Sequence, residues 1–132
     1  MQKRTITRKD SPVTDAPYSP AVVWGLLVFV SGQIPMDPKT NVLFSGGFAE
    51  EAELTFENLK RVLEESGSSL DNVLKTTAFL TNMDNFAELN LVYKRYFPKD
   101  RPARSCVEVS HLPLGARLEI EAVAAISADR PA

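Results

Sequence analysis

Two stretches of the chain carry apolar residues at the three- or four-residue spacing that is typical of a helix buried on one side. The first runs over 52–63, and Gly67 follows it at a position where a helix can end. The second begins near Asn82 or Asp84, and it must stop by Pro98 because proline cannot continue a helix. Each pattern predicts one amphipathic helix.

The other periodic stretches are rich in apolar and β-branched residues, which is typical of strands. A loop with several prolines over 10–20 precedes a run over 22–34, which Gly25 divides into one interrupted strand or a hairpin of two. The other predicted strands cover 3–8 at an edge, 72–81, 103–109 and 117–126. With the helices they give a β-β-α-β-α-β-β order, and we predict an α+β fold with a mixed sheet and two helices on one face.

Two helices of this length can cover only one face of such a sheet. The stretches "VLKTTAFL", "LVFVSG" and "LEIEAVAAI" nevertheless offer apolar side chains to both faces. No sequence is left to cover the second face, so we expect another copy of the same chain to cover it. The pattern therefore predicts a homo-oligomer, in which a site on the outer sheet face would lie between subunits.

The composition is that of a globular protein. The 132 residues are 44% hydrophobic and 24% charged, with a formal net charge of -2. These values predict a single domain over 1–132 without a disordered or nucleic-acid-binding tail. The acidic balance argues against a protein that binds a phosphate backbone, so we expect no nucleic-acid partner.

Cysteine and histidine each occur once, as Cys106 and His111. This excludes a disulfide within one chain and a Cys/His zinc site within one chain, and no phosphate loop or dinucleotide fingerprint is present. We therefore expect no metal and no cofactor. The charged start "MQKRTITRKD" and the short apolar run over 21–30 lack the features of a signal peptide or membrane helix, so we expect a cytoplasmic protein with no membrane partner.

The predicted strand over 103–109 places Arg104, Cys106 and Glu108 on one face, because strand side chains alternate. That polar face is either solvated or the wall of a site. Arg104 is either a solvated arginine or a planar donor aimed at a carboxylate, and the pattern leaves both open. Cys106 is either a small apolar residue or, with His111, a nucleophile and its base, and the separation of the two favours the first.

Three polar residues on other elements are further candidates. Glu119 and Glu121 lie opposite the apolar residues of the last strand, so one of them can face the same side as Arg104 if the sheet is continuous. Otherwise they are surface glutamates or form an ion pair with Arg104 or Arg117. Asn90 lies on the buried stripe of the second helix, where it must find hydrogen-bond partners in a loop or in a substrate.

Five segments of the chain, in this order and over nearly its whole length, resemble a known family. They are "APYSPAV", "LVFVSGQIPMDPKT", "ENLKRVLEESGSSLDNVLKTTAFLTNMDNFAELNLVY", "PARSCVEVSHLP" and "LEIEAVA". The chain resembles the Rid family of enamine/imine deaminases, also called the YjgF-type family. This resemblance implies a fold similar to that of the trimeric chorismate mutases, with three copies packed sheet to sheet as a homotrimer.

The resemblance also implies a function and a set of site residues. A deaminase of the 2-iminobutanoate/2-iminopropanoate type hydrolyses the imines that form from reactive enamines to 2-keto acids and ammonia, without a cofactor. Arg104 would bind the carboxylate of a small 2-imino or 2-enamino acid, and Glu119 would orient or activate water. By the same resemblance, four further residues would line the intersubunit pocket, and they are Tyr18, Ser31, Asn90 and Cys106. Tyr18 and Ser31 are ordinary residues when each is considered alone.

Three positions depart from the usual pattern of the family. Ala16 stands where glycine is common, Pro20 where glutamine is frequent, and Glu51 where the first helix often carries glutamine. Because of these three departures, the resemblance does not determine the structure of the pocket rim or the range of substrates.

Two other functions are alternatives to the deaminase. One is a non-catalytic protein that binds small 2-keto acids or related carboxylates at intersubunit clefts, for which Arg104 would also serve. The other is an RNA-cleaving or translation-inhibiting protein, an activity that has been attached to members of the family. The acidic charge, the single histidine and the lack of an aromatic and basic patch disfavour it.

Overall fold

The computed structural model describes residues 1–8 and 15–127, which form a six-stranded sheet and two α-helices. The strands are β1 (Lys3–Ile6), β2 (Ala21–Trp24), β3 (Leu27–Gln33), β4 (Val73–Leu80), β5 (Ala103–Glu108) and β6 (Leu118–Ala125). The helices are α1 (Phe48–Glu65) and α2 (Phe86–Tyr96). The predicted elements are confirmed, although part of the loop predicted over 10–20 lies outside the described residues.

The strand order across the sheet is β1-β2-β3-β6-β4-β5. Every neighbouring pair is antiparallel except β4 and β5, which are parallel and are joined through α2. Parallel neighbours need such a crossover, whereas β2 and β3 need only a tight turn, in which Gly25 has a φ of 61°. The sheet is therefore mixed, as predicted, and β6 lies in its middle.

Both helices pack on the same face of the sheet. α1 presents Phe56 and Leu59 to Leu118 and Ile120 of β6, and all four side chains are fully buried. The Phe56 ring also stacks on Tyr96 of α2 with the ring centres 4.9 Å apart. This burial removes a continuous apolar layer from water and supplies the main driving force for the fold.

The opposite face of the sheet is open. Trp24 and Phe29 on this face are 48% and 46% exposed, and Val107 at the β5 edge is 43% exposed. The side chains of Trp24 and Leu27 are neighbours across β2 and β3, as are those of Phe29 and Val123 across β3 and β6. The expectation that the helices cover only one face is confirmed, while its covering by another copy stays a prediction.

A buried ion pair ties α1 to the start of β6. The carboxylate of Glu51, whose residue is only 5% exposed, accepts hydrogen bonds from the guanidinium of Arg117 and from the backbone N–H of Gly46. The alternative that Arg117 pairs with Glu119 or Glu121 is therefore wrong. Glu51 stabilises a helix-to-strand contact, because a buried carboxylate must find a cation and hydrogen bonds.

We expect Phe56→Ala to lower the free energy of unfolding by about 3–5 kcal/mol, because it removes a fully buried ring from between the helices and leaves a cavity. Leu91→Ala is the matched control, since Leu91 is 68% exposed and its truncation should change stability by no more than about 0.5 kcal/mol. Urea denaturation at one fixed protein concentration measures both. Equal losses in the two variants would contradict the assigned core.

Candidate active site

Arg104 lies on β5 with its guanidinium packed against α2. Its Nη1 donates a hydrogen bond of 2.8 Å to Oδ1 of Asn90. Its Cζ atom lies 4.8 Å from the centre of the Tyr93 ring and 5.4 Å from that of the Phe86 ring. Within the described part of the chain no carboxylate forms an ion pair with Arg104. The guanidinium is thus held in place by an amide and two aromatic rings, while its Nε–H and Nη2 N–H groups donate no hydrogen bond to the described residues.

Tyr93, whose ring packs against Arg104, is itself held in place by a residue of β4. Its hydroxyl shares a hydrogen bond of 2.7 Å with Oγ1 of the buried Thr76 on β4. Burial raises the pKa of Tyr93, and the Thr76 hydrogen bond and the charge of Arg104 oppose this with smaller effects. The ring therefore stays neutral at physiological pH and offers its electron-rich face to the arginine.

Glu119 projects from β6 on the opposite face of the sheet. Arg104 pairs with Thr76, which is buried on the helix side of β4. Glu119 pairs with Phe79, which is three residues further along β4 and so on the other side, as is the Thr77 partner Glu121. The expectation that a β6 glutamate can face the same side as Arg104 is therefore wrong. The two strands also lie about 10 Å apart across the sheet.

The carboxylate of Glu119 rests directly on the backbone of β3. A side-chain carbon added at Gly32 would collide with the carboxylate of Glu119, so only glycine leaves room for this arrangement. Sequence reasoning missed Gly32 as a site residue. The available signal was a glycine inside a strand, which often marks the close approach of another group.

Glu119 is electrostatically unusual among the acidic residues. Burial raises its pKa, and repulsion from Glu121 raises it further. Among the described residues its carboxylate has no hydrogen-bond partner. A raised pKa makes the carboxylate a stronger base, which suits a group that accepts a proton from water.

Ser31 directly precedes Gly32 in β3, and its hydrogen bonds join β3 to the loop that carries Tyr18. The Ser31 hydroxyl donates a hydrogen bond of 2.6 Å to the Ser19 carbonyl, and the Ser31 N–H donates one of 3.0 Å to the Pro20 carbonyl. These bonds fasten the loop that carries Tyr18, whose residue is 65% exposed. Ser31 thus positions the loop, and Tyr18 is free to contact a ligand.

Cys106 lies two residues after Arg104 on β5 and shares its face. Burial raises the pKa of its thiol, and the positive charge of Arg104 opposes this with a smaller effect. His111 is exposed beyond the end of β5, and no hydrogen bond joins it to Cys106 in the described residues. A thiol that is protonated and has no base beside it is a poor nucleophile, so Cys106 serves as an apolar wall beside Arg104.

The described residues contain no group of three or more His, Cys, Asp or Glu side chains placed to hold a metal ion. In the same part of the chain, neither helix is long and apolar enough to cross a membrane.

The six predicted site residues thus form two groups, and Arg104 of the first and Glu119 of the second lie on opposite faces of the sheet. Beside α2, β5 brings together Arg104, Asn90 and Cys106. Around the end of β3 lie Glu119, Ser31 and Tyr18, with Gly32 between them. The first group can bind an anion, and the second can exchange a proton.

Comparison with known proteins shows the family to which the chain belongs. The chain belongs to the family described as endoribonuclease L-PSP, whose model matches residues 8–126. It is 43% identical over 122 residues to the human protein named 2-iminobutanoate/2-iminopropanoate deaminase, covering 92% of this chain and 89% of the human one. It is 49% identical over 117 residues to protein HMF1 of Saccharomyces cerevisiae, covering 89% and 90% of the two chains.

Solved structures agree with this assignment. The crystal structure of E. coli TdcF with bound serine superposes with a TM-score of 0.86 at 38% identity, covering 94% of this chain and 99% of TdcF. That of the E. coli YjgF gene product superposes with a TM-score of 0.85 at 35% identity, covering 92% and 98%. The resemblance to the YjgF-type family is therefore confirmed.

We expect Glu119→Gln to raise the free energy of unfolding at neutral pH. The raised pKa of Glu119 means that the folded protein disfavours the charged carboxylate, so the wild type loses stability as the pH rises through that pKa. The difference in unfolding free energy between the two proteins should vanish below about pH 4, where the Glu119 carboxyl is protonated in both the folded and the unfolded state. Denaturation of wild type, Glu119→Gln and the exposed control Glu64→Gln at pH 7 and at low pH checks this. A variant that is less stable at pH 7 would mean that the charge is stabilised in place.

Proposed function

We propose that the protein is a deaminase that hydrolyses small 2-imino acids, of the 2-iminobutanoate and 2-iminopropanoate type, to 2-keto acids and ammonia. The observation that carries this proposal is the guanidinium of Arg104, held by Asn90, Tyr93 and Phe86 without a carboxylate of its own in the described residues. The name of the human relative supports the reaction. The serine bound to TdcF supports a ligand that carries a carboxylate and a nitrogen on neighbouring carbons.

The proposed site is completed by two copies of the chain in a homotrimer. Arg104 and Glu119 point away from opposite faces of one sheet, so a single copy cannot present both to one small substrate. The open apolar face around Trp24 and Phe29 favours a second copy at this place, because such a surface is costly to leave in water. Arg104 of one copy would then bind the carboxylate, and Glu119 of the next would act on the adjacent carbon.

The chemistry needs only these groups. The imine carbon is already electrophilic, and Arg104 fixes it by forming two hydrogen bonds to the neighbouring carboxylate. Glu119 takes a proton from water as the oxygen bonds to the imine carbon, and it passes this proton to the nitrogen to give a carbinolamine. Glu119 then takes the hydroxyl proton as the C=O bond forms and delivers it to the nitrogen as the C–N bond breaks, so ammonia leaves and a 2-keto acid forms. No cofactor enters any of these steps.

The other predicted residues have supporting parts in the proposed site. Asn90 orients Arg104, and Cys106 provides the apolar wall beside it. Ser31 holds the loop from which Tyr18 reaches the substrate. A cytoplasmic location stays a prediction from the sequence.

Two alternative functions are distinguished by their products. A protein that only binds 2-keto acids would retain ligand affinity through Arg104 but would not release ammonia faster than the uncatalysed reaction. A ribonuclease, as the family description reads, would cleave RNA and would bind it with strong salt dependence. Ammonia release from a panel of 2-imino acids generated in situ, run beside an RNA cleavage assay, separates all three.

We expect Arg104→Lys to lower kcat/KM for imine hydrolysis by about tenfold or more. Lysine keeps the charge, but it loses the planar pair of donors and the stacking on Tyr93, so the imine carbon is no longer aligned with water. The control is Arg101→Lys, because Arg101 donates only to the backbone carbonyls of Phe97 and Pro98. Full activity of Arg104→Lys with an unchanged assembly would remove the carboxylate-binding role.

We expect Glu119→Gln to lose turnover by a factor of about 100 while it still binds a 2-keto acid, because the amide has the shape of the carboxyl but cannot accept a proton from water. Mixing this variant with Arg104→Lys under conditions that exchange subunits should restore part of the activity, because some sites would then receive both native residues. Sedimentation checks that wild type, variants and mixture are trimers. Failure of mixed trimers to recover any activity would show that both residues come from one copy.

A further inference from the structure

A cavity of about 590 Å³ lies where the ends of β1 and β3 meet α1. This volume is in the range of small-molecule binding sites. Five of its lining residues carry a guanidinium or amide side chain, and they are Arg8, Gln33, Asn41, Asn58 and Arg61. Tyr18 and Gly32 also line the cavity, and Gly32 lies against Glu119, but the polar end of the cavity has no part in the reaction proposed above.

The two arginines are fixed in place by neutral acceptors. Nη1 of Arg61 donates a hydrogen bond of 2.9 Å to Oδ1 of Asn58. Asn58 is held in turn, because its amide donates to the carbonyls of Ile34 at 3.0 Å and Met36 at 2.9 Å. Nη2 of Arg8 donates a hydrogen bond of 3.0 Å to the Pro38 carbonyl. Each guanidinium is thus anchored at one nitrogen and keeps further N–H groups for another acceptor.

Within residues 1–8 and 15–127 no carboxylate forms an ion pair with either of these arginines. Arg95 and Arg117, by contrast, each have a glutamate partner. Burial lowers the pKa of Arg61, and the nearby charge of Arg8 lowers it further, while Glu65 offsets only part of this. Two like charges on the wall of one partly dehydrated cavity repel each other, and an anion between them would relieve that repulsion.

We propose that this cavity binds an oxyanion, a phosphate or carboxylate group of a small metabolite, between the guanidiniums of Arg8 and Arg61. The planar forks of two arginines suit the paired oxygens of either group. Asn41 lines the same cavity and adds an amide that can donate to the ligand. The volume exceeds that of a bare phosphate, so the anion would be one end of a larger molecule. This site is distinct from Arg104, which lies at the β5 edge of the sheet.

The test uses inorganic phosphate and malonate as separate probes at constant ionic strength. Thermal unfolding and isothermal titration calorimetry are measured for wild type, Arg8→Met, Arg61→Met and the control Arg95→Met, whose arginine lies outside the cavity. We expect saturable binding in wild type and in the control, and an affinity lower by about tenfold or more in each cavity variant. Binding of phosphate alone supports a phosphate-bearing ligand, and binding of malonate alone supports a carboxylate.

A second measurement separates an anion site from a structural arginine. Without added anion, Arg61→Met should be as stable as wild type or more stable, because it removes one of two repelling charges. Its kcat/KM for imine hydrolysis should stay within about twofold of wild type. Three results would overturn the proposal: neither probe binds, the cavity variants bind as tightly as the control, or Arg61→Met loses imine hydrolysis together with anion binding. A wild type that binds anions but does not hydrolyse imines would contradict only the proposed deaminase.

Discussion

The alternation of side chains along the strands is the constraint on which this structure depends. On β4, Thr76 and Ala78 point into the helix layer, while Thr77 and Phe79 point to the open face. A residue that pairs with β4 points to the same face as its β4 partner. Arg104 of β5 pairs with Thr76, so it points into the helix layer. A slip of one residue in the β4–β5 pairing would turn Arg104 to the open face and separate it from α2. The position of Arg104 beside α2 is thus decided by a pairing register.

The sequence was sufficient to predict the elements, because their periodicities are local properties. The apolar positions of α1 and the break at Gly25 are visible without any knowledge of what they contact. The open sheet face also followed, since two helices are too few to cover both sides. Strand order and register are decided by contacts between distant segments, and for this reason the placement of Glu119 on the side of Arg104 was wrong.

The pattern of apolar and polar positions also could not predict the contacts of single side chains. The sequence allowed Arg117 to pair with Glu119 or Glu121, but the tertiary structure brings it to Glu51 on α1. Gly32 looked like an ordinary loop or strand glycine until the carboxylate of Glu119 was seen against it. In both cases the partner is remote in sequence, and no local rule identifies it.

The arginines of this protein have three kinds of surroundings, and these decide what each one does. Arg117 is neutralised by a buried carboxylate and therefore stabilises the fold. Arg104 is held by rings and an amide, which position it without cancelling its charge. Arg8 and Arg61 are anchored by neutral oxygens beside each other. One residue type is thus neutralised by a carboxylate, oriented by rings and an amide, or anchored by neutral oxygens.

The position of β6 in the middle of the sheet has a consequence for the order of folding. β6 pairs with β3 and β4, and both partners are far earlier in the chain. During synthesis the β1–β2–β3 meander and the β4–α2–β5 unit can form locally, but they remain two separate halves with unpaired edges until residues 118–125 leave the ribosome. β6 then pairs with both halves and completes the sheet. The nascent chain is most prone to wrong edge pairing just before that moment.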